Sequence, residues 1–155
     1  MIKLIDLLEN KILVPRRSKE ERSKNYLIAT QKKIQQYMKD GSKGDLDLKN
    51  TPITSLPKDL TVGGSLDLKN TPITSLPQDL TVGKGIYLEN TPITTLPQGL
   101  TVGGFLDLEN TPITTLPQDL KVGGNLYLTN TPISKKYSKE QIKQMVPGVK
   151  GTIYI

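Results

Sequence analysis

The chain has no cysteine and no histidine. Without cysteine it can build neither a disulfide framework nor a thiolate metal site, and without histidine it has no imidazole ligand and no side chain that ordinarily titrates near neutral pH. Most familiar catalytic constellations are excluded with them, and neither a cofactor nor a metal site is expected. No apolar run approaches the roughly 20 residues that a bilayer-spanning helix needs. The opening "MIKLIDLLENKILVPRR" is interrupted by Asp6 and Glu9 and is followed by no small-residue cleavage site, so it reads as mature protein. The expectation is a soluble, cytoplasmic chain without a membrane partner.

What is present is charge in blocks and a repeat. The chain has 155 residues, enough for one folded unit with a buried core, and a net charge of +6. Residues 1–43 hold 11 basic and 5 acidic side chains (+6), residues 44–134 hold 5 and 9 (−4), and residues 135–155 hold 5 and 1 (+4). An acidic middle between two basic ends implies separate faces rather than one polyanion-binding surface.

Those boundaries coincide with the repeat. The pattern "xLxLxNTPI" places its first apolar residue at Leu46, Leu66, Ile86, Leu106 and Leu126, and the linking "LPxxLxVG" begins at Leu56, Leu76, Leu96 and Leu116. A fixed period of twenty means a solenoid, because each unit is too small to bury its own apolar face and must stack on its neighbours. Within a unit, alternation in "SLDLK" puts Leu66 and Leu68 inside and Ser65, Asp67 and Lys69 outside, as a short half-buried strand requires. Thr71, held extended by Pro72, begins the return. Ile73 and Leu76 point inward, Pro77 turns the chain, Leu80 and Val82 fill the back, and Gly83 permits the turn into the next strand. Thr51, Thr71, Thr91, Thr111 and Thr131 form an inward column whose hydroxyls can satisfy buried turn groups.

The string "LDLKNTPITSLP" resembles the "LxLxxNxLxxLP" skeleton of the leucine-rich repeat family in its short, twenty-residue bacterial form, with Thr71 where that family often carries Asn or Cys and "VGG" where it has a leucine before the strand. The likeness covers residues 44–134 and extends to short repeat proteins encoded by bacteriophages. It implies a repeat solenoid, a leucine-rich-repeat-like parallel β-sheet coil whose exposed strand positions bind a partner, usually a protein. A phage origin would put the chain in the cytoplasm of a bacterial host, with inhibition of a host factor as one role.

Both ends depart from the repeat, as solenoid caps must. In residues 135–155, Ser138 and Gln141 form a capping box, Tyr137 and Ile142 a hydrophobic staple, and a helix from about 139 to 146 stops at Pro147 and Gly148. "GTIYI" then supplies a last strand, with Ile153 and Ile155 in the leucine positions. Its outer edge is expected to stay unpaired in a monomer. The N-terminal 43 residues are helical in pattern. Ile5, Leu8 and Ile12 share a face before Pro15, and Ser18 with Glu21 opens a helix to about Asp40, with Leu27, Ile34 and Met38 as its stripe. The plain reading of these helices is a cap over Leu46 and Leu48.

Two surfaces remain as candidate sites, neither of them catalytic. On the strand face the central column reads Asp47, Asp67, Tyr87, Asp107, Tyr127 and Tyr154, with Asp45, Ser65, Gly85, Phe105, Asn125 and Thr152 on one flank and Lys49, Lys69, Glu89, Glu109 and Thr129 on the other. Aromatics beside carboxylates suit a protein interface, since tyrosine offers rigid amphipathic contact area and the acids select a basic partner. The partner-binding set is therefore Asp47, Asp67, Lys69, Tyr87, Glu89, Phe105, Asp107, Glu109 and Tyr127. The alternative is nucleic-acid or anionic-surface binding through Arg16, Arg17, Lys19, Arg22, Lys24, Lys32 and Lys33. A shallow repeat surface offers no cleft for a carboxylate pair, so an enzyme is not expected.

Overall fold

The computed structural model describes residues 18–78 and 80–155. The predicted first helix, with Ile5, Leu8 and Ile12, and the basic residues Arg16 and Arg17 lie outside the described residues.

The period of twenty becomes a two-sided parallel solenoid. On the front, strands β1 (Leu46–Asp47), β3 (Leu66–Asp67), β5 (Ile86–Tyr87), β7 (Leu106–Asp107), β9 (Leu126–Tyr127) and β10 (Ile153–Tyr154) pair in that order, all parallel. On the back, β2 (Thr61–Val62), β4 (Thr81–Val82), β6 (Thr101–Val102) and β8 (Lys121–Val122) make a second parallel sheet. The sequence pattern predicts the first sheet but not the second. In the second, each "TV" pair, and the "KV" pair of β8, buries its valine and exposes the residue before it. Leucines, isoleucines and valines from both sheets fill one continuous core.

Three columns hold the coils in register. Each column threonine is buried, and its hydroxyl donates to the carbonyl three residues back, from Thr51 to Leu48 at 2.6 Å and from Thr131 to Leu128 at 2.7 Å. That carbonyl also accepts the threonine N–H, which closes the turn after the strand. The asparagines before them, Asn50, Asn70, Asn90, Asn110 and Asn130, take the left-handed conformation with φ between 56° and 59°. Among side-chain-bearing residues asparagine tolerates that region best. Two rungs of this column link by side-chain hydrogen bonds, the Asn70 amide N–H donating to Asn50 Oδ1 and that of Asn130 to Asn110 Oδ1.

The glycine column corrects one expectation. Gly83, Gly103 and Gly123 are not at positive φ. They are needed for close approach: a Cβ on Gly103 would lie 2.1 Å from the carbonyl oxygen of Gly83, and one on Gly83 would lie 2.3 Å from that of Gly63. The absent side chain lets successive backs stack at hydrogen-bonding distance, with the Gly103 N–H donating to the Val82 carbonyl at 2.9 Å.

The caps form as the capping boxes predict. Helix α1 (Lys19–Lys39) starts at Ser18, whose hydroxyl accepts the Glu21 N–H while the Glu21 carboxylate accepts the Ser18 N–H. Ile34 is buried and Leu27, Tyr37 and Met38 pack against the core, so α1 closes the first coil over Leu46 and Leu48. At the other end the fifth "TPI" opens a short helix, α2 (Pro132–Lys136), that the pattern does not predict. Proline is welcome at the first helical position, where its missing N–H is unneeded, and Ser134 completes a capping box with Thr131. Helix α3 (Lys139–Met145) follows, and Ile142, Val146 and Val149 complete the core. The last strand pairs through Ile153, which is buried, but Ile155 is 45% exposed and takes no leucine position. Among the described residues nothing stacks beyond that coil to cover it.

Candidate functional site

The outward positions of the front strands form one continuous face, and side-chain chemistry divides it into two halves. In the coils of β1 and β3 the face is aspartate and lysine. The Lys49 ammonium pairs with the Asp47 carboxylate at 3.3 Å, with both side chains about half exposed. Lys33, from α1, donates to the Asp47 backbone carbonyl. From β5 to β10 the face becomes aromatic. Tyr87 and Phe105 meet edge to face with ring centres 4.7 Å apart, Phe105 and Tyr127 do so at 6.4 Å, and Tyr127 stacks on Tyr154 at 4.9 Å with ring planes 6° apart. Such pairs contribute roughly 0.5–1.5 kcal/mol beyond their buried area.

Phe105 lies where it does because Gly85 has no side chain. A Cβ on Gly85 would come within 2.3 Å of the Phe105 ring, so the ring lies across the glycine of the preceding coil and reaches Tyr87. Sequence reasoning places Phe105 on the open face but misses that Gly85 is its seat. The signal was the one glycine in that column, one coil before the one phenylalanine. Tyr154 also belongs to the run, beyond the candidate set, and its place in the central column identifies it.

The aspartates have a local task as well. Asp47, Asp67 and Asp107 each accept the N–H two residues on, from Lys49, Lys69 and Glu109, at 3.1, 3.1 and 3.0 Å. For Lys69 and Glu109 the carbonyls of the preceding coil on that side, those of Leu48 and Leu88, are taken by the column threonines, and the carboxylate accepts the N–H instead; Lys49, on the first strand, has no preceding strand to meet. Asp45 and Asn125 do the same between coils, accepting from the N–H groups of Ser65 and Thr152.

The two ends of the aspartate column differ electrostatically. At Asp47 burial alone would raise the carboxyl, but the N–H and ammonium of Lys49, with Lys33 beyond, outweigh it and hold the group below the ordinary carboxylate range. At Asp107 burial pushes the carboxyl up, and the charges of Glu109 and Glu89 add to it against the Glu109 N–H and Lys69. Asp107 stands in register between Tyr87 and Tyr127. Tyr87, Phe105, Asp107 and Tyr127, with Glu89 and Glu109 alongside, thus form one half-buried aromatic and acidic patch. Asp47 lies apart from it, Asp67 borders it in register with Tyr87, and Lys69 bridges the halves.

The described basic candidates do not form a comparable patch. Lys19, Arg22, Lys24, Lys32 and Lys33 are all exposed on α1. At about 100° per residue, Lys19, Arg22 and Lys33 share one side of the helix while Lys24 and Lys32 fall on others. Among the described residues no cluster of acidic side chains fits a metal ion, and no helix is long and apolar enough to cross a membrane. Compared with known proteins, the chain matches no family model, no curated protein and no solved structure.

Proposed function

We propose that the chain is a non-catalytic protein-interaction module of leucine-rich-repeat type that docks a basic protein surface on the aromatic half of its strand face. The observation that carries this reading is the unbroken aromatic run Tyr87, Phe105, Tyr127 and Tyr154 beside Glu89, Asp107 and Glu109. A solenoid needs no aromatic on its outer strand positions, and the coils of β1 and β3 fold with none. Tyrosine and phenylalanine in contact on a rigid sheet supply the desolvated centre of an interface, and the carboxylates at its rim select positive charge and speed encounter. The module acts as a monomer in the cytoplasm. If phage-encoded, it inhibits or sequesters a bacterial host factor.

The alternative reading uses the exposed basic residues of the N-terminal helix to hold a nucleic acid or anionic surface, with the repeats as a spacer. Salt and nuclease separate the two. Binding to polyphosphate falls steeply with ionic strength because counterions are released, whereas an aromatic-centred interface loses little. Capture from bacterial lysate with and without nuclease, repeated on a chain carrying Phe105→Ala, tests the reading. One basic protein retained despite nuclease and lost with Phe105 is the expected outcome. Retention abolished by nuclease and indifferent to Phe105 would transfer the function to the helix.

A further inference from the structure

A cation already lies on the aromatic half of the face. Lys69 reaches from the second coil toward the third, and its Nζ lies 4.7 Å from the centre of the Tyr87 ring. Its positive charge also acts on Asp107, one coil further on. Lys49, in the same column one coil earlier, behaves differently and pairs with the aspartate of its own strand. At the end of the run the arrangement recurs, with the Lys139 Nζ 5.9 Å from the centre of Tyr154. The electron-rich face of a tyrosine attracts cations, and here the protein supplies its own.

The surroundings of Tyr87 fit a larger cation than an ammonium. Tyr87 and Tyr127 stand two coils apart, about 10 Å by the spacing of paired strands. Asp107 lies between them in register. Phe105, seated on Gly85, closes one side. Glu89 and Glu109 occupy the other flank and add their charge to that of Asp107. A guanidinium is planar, presents a fork of donors that matches carboxylates, stacks on aromatic rings and is weakly hydrated, so it gains more from such walls than an ammonium does.

We propose that this half of the face is a receptor for one arginine side chain of a protein partner, with Asp107 as counter-ion, Tyr87, Phe105 and Tyr127 as walls, and Lys69 as the internal occupant that the arginine displaces. The inference rests on the strand face being the interaction surface and names the group that anchors the partner there. Lys69 thereby sets selectivity, because an incoming cation must outcompete a tethered one.

The test titrates the full isotope-labelled chain with a hexa-arginine peptide, and with hexalysine as control, at physiological ionic strength while amide shifts are recorded. Saturable shifts centred on Tyr87, Asp107 and Tyr127, with hexalysine weaker, are expected. Lys69→Met should tighten hexa-arginine binding roughly two- to fivefold, the equivalent of one exposed cation–π contact. Lys49→Met removes the same charge from the same column and should change it much less. Asp107→Asn should weaken binding severalfold without unfolding the chain, as a thermal melt will register. Equal effects of Lys69→Met and Lys49→Met, equal affinity for the two peptides, or shifts spread evenly over Asp47, Asp67 and Asp107 would each overturn the proposal. If a captured protein still depends on Phe105 while the peptide fails these tests, the interaction reading stands and the arginine receptor falls.

Discussion

Asp47 and Asp107 occupy the same column, three coils apart, and make the same bond to the N–H two residues on. Yet one carboxyl is held below its ordinary range and the other above it. The turn that each makes is the same, so the difference comes from the surroundings: Asp47 stands exposed on the first strand of the sheet, whereas Asp107 is half-buried on an inner strand between Tyr87 and Tyr127. At Asp47 burial is outweighed by the Lys49 N–H and ammonium and by Lys33. At Asp107 burial is reinforced by Glu109 and Glu89. The repeat thus separates two tasks. Inward leucines, column threonines and back glycines maintain the coil, while the outward positions are free to carry recognition.

If that separation holds, damage to the shared frame should cost both halves alike. Gly103→Ala would set a Cβ 2.1 Å from the carbonyl oxygen of the coil below, and Gly83→Ala one at 2.3 Å. Each should lose stability at or above the upper end of the roughly 1–3 kcal/mol that overpacking costs, read as a fall in the urea midpoint. A large loss at one and none at the other would break the equivalence of the coils.

A smaller effect is expected where the frame is untouched and only the face changes. Gly85→Ala must push the Phe105 ring off its seat. Its stability cost should stay below about 1 kcal/mol, because the half-buried ring can swing outward, while partner capture falls severalfold and the ring-current shifts between Tyr87 and Phe105 collapse. Ser65→Ala, in the same column one coil earlier, should do neither.

The smallest effect has a sign that differs between the halves. Asp107 is more readily protonated in the folded chain than in the unfolded one, so its contribution is present below the unfolded value and lost as pH rises through the raised folded value. Asp47 contributes above the unfolded value and loses that contribution as pH falls through its lowered folded value. Carboxyl-carbon NMR titration should therefore give Asp107 the higher midpoint. At neutral pH Asp107→Asn should be neutral or slightly stabilising, and Asp47→Asn slightly destabilising. Both changes should stay within a few tenths of a kcal/mol, because solvent screens the exposed Asp47 pair.

Much of this frame is legible in the sequence because the repeat states it five times. The alternation around Leu66 and Leu68, the inward threonines and the boxes at Ser18 and Ser138 all have local causes, and local causes can be read along the chain. The back sheet is not legible in that way. "TV" is too short to show a period, and its partner lies twenty residues away. The glycine column looked like a need for backbone freedom because sequence cannot distinguish an unusual φ from a close neighbour. The fifth "TPI" turned helical for a similar reason: the tripeptide permits either path, and "SKK" in place of "TSL" or "TTL" decides it. At the site, residue identities and their columns could be read, but not that Phe105 rests on Gly85 or that Lys69 lies on Tyr87. Those are contacts between coils, made by side chains that could have turned elsewhere.

The central claim is that binding lies in the outward aromatics of the later coils. Its most direct test is capture of a partner by chains carrying either Tyr87→Ser with Tyr127→Ser or Asp47→Asn with Asp67→Asn, each first shown to melt like the parent. The account predicts that the first pair abolishes capture and the second leaves it within about twofold, as rim charges do. Capture that survives loss of both tyrosines and fails with the aspartates would contradict it.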